Sequence, residues 1–97
     1  MKDYIFLMHD DVKELTKPEA WGVYLAKLSG TGRFQGGSSI GGGACFNKEG
    51  RAAAVTKHVG GYLRVQAESL EQARELLEGN PVFECGGTVE IRELPKD

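Results

Sequence analysis

The chain predicts an α+β fold: a ferredoxin-like β-α-β-β-α-β sandwich, with two helices on one face of a four-stranded antiparallel sheet. Two observations carry the prediction. Residues 61–94 read as strand, helix, strand with both helix ends marked, and the first third of the chain reads the same way. A glycine-rich stretch separates the two units.

In the first unit, Tyr4 to Met8 is continuously apolar, as expected of a central strand covered on both faces. Thr16 and Glu19 have the spacing of a capping box, and Pro18 suits a first helical turn. Trp21, Tyr24, Leu25 and Leu28 then recur at i, i+3, i+4 and i+7, one face of a helix that Gly30 and Gly32 end. Arg33 to Ile40 resumes an extended strand. More than half of the 14 glycines fall between residues 36 and 61. Within that insert ACFNKEGRAAAV reads as a short hairpin: Cys45–Phe46, a turn at Asn47–Gly50, then Ala52–Val55.

The second unit opens on Leu63, Val65 and Ala67 alternating with Tyr62, Arg64 and Gln66, the period-two pattern of a half-buried strand. Ser69 and Gln72 form a capping box, and Leu70, Ala73, Leu76 and Leu77 share a helix face. Gly79 and Pro81 stop that helix. Val89 and Ile91 alternate with Thr88, Glu90 and Arg92 in a closing strand.

The 97 residues predict one domain spanning 1–97, and so short a chain gains from a partner subunit. A net charge of −2, with acids and bases interspersed, argues against nucleic acid. No apolar run is long enough to span a membrane, and the apolar start is too short for a secretory signal, so a cytoplasmic protein is expected. Cys45 and Cys85 are then expected to stay reduced. The glycines lie between strands, without the GK[ST] or GxGxxG context that cradles phosphate. No cofactor is expected, nor a metal, since His9 and His58 lack ligand spacing.

Four segments together carry a family resemblance: YIFLMHDD, YLAKLSGTGRFQGG, GGYLRVQAESLEQARELLEGNP and VEIRELP. In order and spacing, over nearly the whole chain, they resemble the YCII-related family, with its YciI-like and DGPF branches. The resemblance implies a dimeric α/β barrel: a homodimer whose two sheets pack face to face around a cleft. It also implies chemistry from a His on the first helix and an Asp before a Pro. One branch resembles a lyase that removes chloride from a chlorinated aromatic diol. Here the motif positions fall on Tyr24 and Asn80, and RAAAVTKHVGGY lacks the DGPF tetrad. Neither Tyr24 nor Asn80 is a good base at neutral pH, though both can hydrogen-bond a ligand.

The candidate catalytic residues are therefore His9, Tyr24 and Asn80. His9 follows the first strand beside Asp10 and Asp11, where it serves as a general base or as ordinary turn chemistry. His58 is either a rim residue of the cleft or a loop histidine. Strand parity points Leu63, Val65, Ala67, Val89 and Ile91 at the helices, and Tyr62, Arg64, Gln66, Thr88, Glu90 and Arg92 away from them. In a face-to-face dimer Arg64, Glu90 and Arg92 are expected to be paired or to meet an anionic ligand. In a monomer the same face is simply wet. Tyr62, Arg64, Glu90, Arg92 and His58 are thus the candidate ligand-binding set. Two functions follow: a non-catalytic dimeric domain that binds a small molecule or assists another protein, or a cofactor-independent acid–base enzyme acting on a small aromatic or carbonyl compound. RNA binding on an open sheet fits least, since Tyr62 is nearly alone there as an aromatic.

Overall fold

A computed structural model describes residues 1–50 and 53–96. The elements run β1 (Lys2–His9), α1 (Ala20–Gly30), β2 (Phe34–Ser39), β3 (Val59–Ala67), α2 (Leu70–Glu75), α3 (Pro81–Glu84) and β4 (Val89–Leu94). All ladders are antiparallel and the sheet order is β2-β3-β1-β4, the ferredoxin-like arrangement. β1 and β3 occupy the centre, so the two units interleave rather than sit side by side.

The core forms on the helix face. Tyr4, Phe6 and Met8 of β1 meet Leu63, Val65 and Ala67 of β3 and Tyr24, Leu28, Ala73 and Leu77 of the helices, all buried. Phe6 stands opposite both Leu63 and Ile91, which places one apolar layer across three strands. The parity expected of β3 and β4 holds: Leu63, Val65 and Ala67 are buried, and Val89 and Ile91 pack against them. β1 departs from its expected cover on both faces. Tyr4, Phe6 and Met8 are buried, whereas Ile5 and Leu7 are half-buried on a face that no helix covers.

Three local expectations are corrected. Thr16 does not cap α1: the helix starts at Ala20, Glu19 caps it without a side-chain bond, and the Thr16 hydroxyl turns to Cys85 Sγ at 3.8 Å. Pro18 lies in the turn ahead of the helix rather than in its first turn. The insert keeps its turn, with Gly50 N donating to Asn47 O at 3.1 Å, but no strand flanks that turn among the described residues. Ala52, part of the expected hairpin, lies outside the described residues.

The second unit follows its signals more closely. Ser69 Oγ accepts from Gln72 N at 3.1 Å, and the Gln72 side chain accepts from Glu68 N at 2.7 Å, one residue beyond the usual box. Gly79 turns the chain at φ +87°, a conformation that favours glycine. A third, short helix then begins, which the sequence reading omitted. Pro81 occupies its first turn, and Asn80 Oδ1 accepts from Val82 N at 3.0 Å and Phe83 N at 3.2 Å.

Candidate functional site

The residues proposed from sequence separate into two places. Tyr24 and Asn80 come together inside the helix layer. Tyr24 is 2% exposed and Asn80 fully buried. The Tyr24 hydroxyl donates to Leu76 O at 2.8 Å, tying α1 to the residue that caps the C-terminus of α2. Burial pushes the Tyr24 pKa up, and the nearby Asn80 amide pulls it partly back. That amide acts on the hydroxyl yet misses hydrogen-bond geometry, so Asn80 Nδ2 is a buried donor without a partner. Asn80 spends its oxygen on α3. The pair thus holds three helices in register, while neither side chain is open to solvent.

His9, Glu90, Arg92 and His58 gather at one end of the sheet. His9 and Glu90 lie 81 residues apart in sequence, and the β1–β4 ladder brings His9 Nε2 within 3.0 Å of Glu90 Oε1. Glu90 Oε2 in turn accepts from Arg92 Nη1 at 3.2 Å. These contacts, His9 first and Arg92 second, hold the Glu90 carboxyl below its ordinary value. With Glu90 ionised, His9 Nε2 is the donor of this bond, and in the neutral imidazole Nδ1 is the acceptor. The His58 ring meets His9 edge-on at 5.1 Å. Asp11 steadies the turn behind them, accepting from Thr88 N at 2.7 Å and Thr88 Oγ1 at 2.6 Å, bonds that lower its own pKa.

The uncovered sheet face forms ordered rows. Arg64 and Arg92 flank Ile5, while Tyr62 and Glu90 flank Leu7. Glu90 and Arg92 pair with each other, whereas Arg64 makes no ion pair among the described residues. No group of three or more His, Cys, Asp or Glu among the described residues is placed to hold a metal ion. Cys45 and Cys85 are free and half-buried.

A cleft of about 400 Å³ opens between α1 and the β2–β3 edge, and sequence reasoning had not placed it there. Trp21 and Leu25 of α1, Phe34 of β2, and Met8 and Leu63 form its apolar wall, with Val82 of α3 at one side. Gly37, Gly60 and Gly61 line it without side chains. Gly37 and Gly61 occupy register positions opposite Leu63 and Met8, on the face turned to the helices. A Cβ at Gly37 would strike the Tyr62 carbonyl and the Leu63 side chain. His9, Asp10, Ser38, Ser39 and Tyr62 complete the lining. Trp21 and Leu25, on the same helix face as the buried Tyr24 and Leu28, are only partly buried. The one available signal was the glycine pairs Gly36–Gly37 and Gly60–Gly61, which in sequence only marked the ends of the glycine-rich stretch.

No protein-family model matches the chain, and no curated protein sequence matches it. Among solved structures it is similar to 5-chloro-2-hydroxyhydroquinone dehydrochlorinase from Burkholderia phenoliruptrix, in complex with 2,5-dihydroxybenzoquinone. The two share 17% identity and a TM-score of 0.55, over 100% of this chain and 96% of that one. At that identity the similarity establishes the shared fold.

Proposed function

We propose that this protein is a homodimeric small-molecule-binding domain of the YCII-like dimeric α/β-barrel type, acting in the cytoplasm. The observation that carries the reading is the aromatic-walled cleft under α1. Its volume suits a single-ring compound, and apolar walls with a few polar groups at the mouth are the usual make-up of such sites. The solved structure of the same fold holds a small ring compound, which supports the reading. The dimer is supported by the uncovered sheet face. Ile5 and Leu7 form an apolar centre there, ringed by Tyr62, Arg64, Glu90 and Arg92. Face-to-face packing removes that centre from water and gives Arg64 a carboxylate from the second copy or an anionic ligand. Leu7→Arg tests it by sedimentation equilibrium: a dimer that becomes a folded monomer is expected, and a monomeric wild type contradicts it.

The His9–Glu90 hydrogen bond favours one second reading, a cofactor-independent acid–base enzyme. A histidine oriented by a carboxylate, with Nδ1 free to accept, can move a proton on a carbonyl compound. Tyr24 and Asn80 would then position α1 and α3 without touching substrate. Acetophenone in deuterated water tests this reading. Methyl-proton exchange above the uncatalysed rate, lost in His9→Gln, supports it, and exchange at the uncatalysed rate removes it.

A further inference from the structure

We propose that the cleft under α1 selects organic ammonium ions, holding an aromatic or alkyl body against Trp21, Leu25 and Phe34 and the cationic head at the Asp10 carboxylate. This rests on the reading of the cleft as a binding site and names its ligand class.

Three observations support the choice. The first is charge. Met8, His9, Asp10, Trp21, Leu25 and Phe34 are joined in the lining only by glycine, serine, tyrosine, leucine and valine, so no lysine or arginine faces the cleft. Asp10 is the only acidic side chain there, so an anionic ligand meets a carboxylate and finds no lysine or arginine to pair with.

The second is placement. Asp10 N donates to His58 O at 2.8 Å, which fixes the backbone at the cleft's end. The carboxylate lies directly over the α-carbon of Gly60, also a lining residue, in space that any Cβ would occupy. Among the described residues the Asp10 carboxylate accepts no hydrogen bond and makes no ion pair, unlike neighbouring Asp11, which Thr88 satisfies twice. A carboxylate seated on bare backbone beside a cavity, with its oxygens uncommitted, is arranged to accept from a ligand. His9 Nε2 is engaged by Glu90 and does not compete for the carboxylate.

The third is the wall. Trp21 offers the indole surface that attracts cations most strongly, and Phe34 stands in the same lining. Asp10 is exposed, so the ion pair alone gives little. Together with the aromatic wall it favours an ammonium over its neutral isostere by about tenfold.

The experiment uses three ligands of one shape: phenethylamine, phenethyl alcohol and hydrocinnamate. Trp21 is the chain's only tryptophan and lines the cleft, so its emission reports binding without a label. At neutral pH the amine is expected to bind about tenfold more tightly than the alcohol, and hydrocinnamate more weakly than either. In Asp10→Asn the amine-to-alcohol ratio falls to about one, whereas Lys13→Gln keeps the wild-type ratio. Equal affinity for amine and alcohol, preference for hydrocinnamate, or an unchanged ratio in Asp10→Asn overturns the ammonium proposal and leaves the cleft as a binding site. No response to any of the three overturns the binding reading itself. A melting curve for each variant confirms that the titrated protein is folded.

Discussion

Replacing Asn80 by alanine separates a structural role for this residue from a catalytic one. Asn80 is fully buried and its oxygen accepts two backbone N–H groups, from Val82 and Phe83. Losing an N-cap of this kind costs about 1 kcal/mol, and up to about 2 in folded proteins. The Val82 N–H is half-buried and would be left poorly satisfied, adding about 1 kcal/mol. Phe83 is exposed, so its N–H can turn to water. Emptying the amide's volume adds a cavity term of roughly 1 kcal/mol. One gain opposes these: the unpartnered Nδ2 donor disappears, returning about 1 kcal/mol. The net loss is about 2 kcal/mol, which lowers the melting temperature of a domain this size by about 10 °C. Asn80→Ser keeps an acceptor oxygen at the cap and should lose about half as much. Thermal melts followed by circular dichroism, beside Trp21 emission titrations, read both effects. A capping role for Asn80 is refuted if Asn80→Ala melts within about 2 °C of wild type, or if serine is no better than alanine. A normal melt combined with lost ligand binding would place Asn80 in contact with ligand instead.

Three further outcomes follow from the same contacts. Tyr24→Phe removes the 2.8 Å bond to Leu76 O and should cost about 1 kcal/mol in urea unfolding, with the cleft titration unchanged. Because burial raises the folded Tyr24 pKa above its ordinary 10.0, wild-type stability from this group is full below pH 10.0 and declines as pH rises above it. That decline should be smaller in Tyr24→Phe. Glu90 shows the opposite sign: its folded pKa lies below 4.5, so its contribution is present above pH 4.5 and is lost as pH falls through the folded value. Urea midpoints measured from neutral to acid pH should fall less steeply in Glu90→Gln, and an unchanged slope would contradict the His9–Glu90–Arg92 pairing.

The sheet was legible because its signals are local and periodic. Alternation in residues 62–67 and 88–92 fixed which side chains face the helices, and Ser69 marked the start of α2 before any packing was known. β1 was harder. Ile5 and Leu7 are apolar on the uncovered face, so alternation vanished from the letters and returned only in burial. Residue chemistry alone gave Thr16 as a cap, but the chain approaches α1 from the α3 side, where Cys85 O accepts from Lys13 N at 2.8 Å and Cys85 Sγ draws the Thr16 hydroxyl. Gly79 and Pro81 were read as a stop, but Asn80–Pro81 is also a start, because an N-cap followed by proline at the first position begins a new turn.

The site was less legible. His9 was visible as a strand-end histidine, yet its partner Glu90 depends on a ladder between the first and last strands. Gly37 and Gly61 line the cleft from positions set by pairing with Leu63 and Met8, and register is a long-range property. Trp21 and Tyr24 share one helix face but meet different fates: Tyr24 closes against α2, and Trp21 remains at the cleft, their rings edge to face at 6.0 Å.

The most direct test of the cleft as a binding site is an amide-shift titration of isotopically labelled protein with phenethylamine and phenethyl alcohol. Saturable shifts confined to Gly37–Ser39, Gly60–Leu63 and the Trp21 indole N–H are predicted. Shifts that never saturate, or that centre on the acidic depression of Glu71, Arg74, Glu75, Glu78, Phe83 and Glu84, would contradict it.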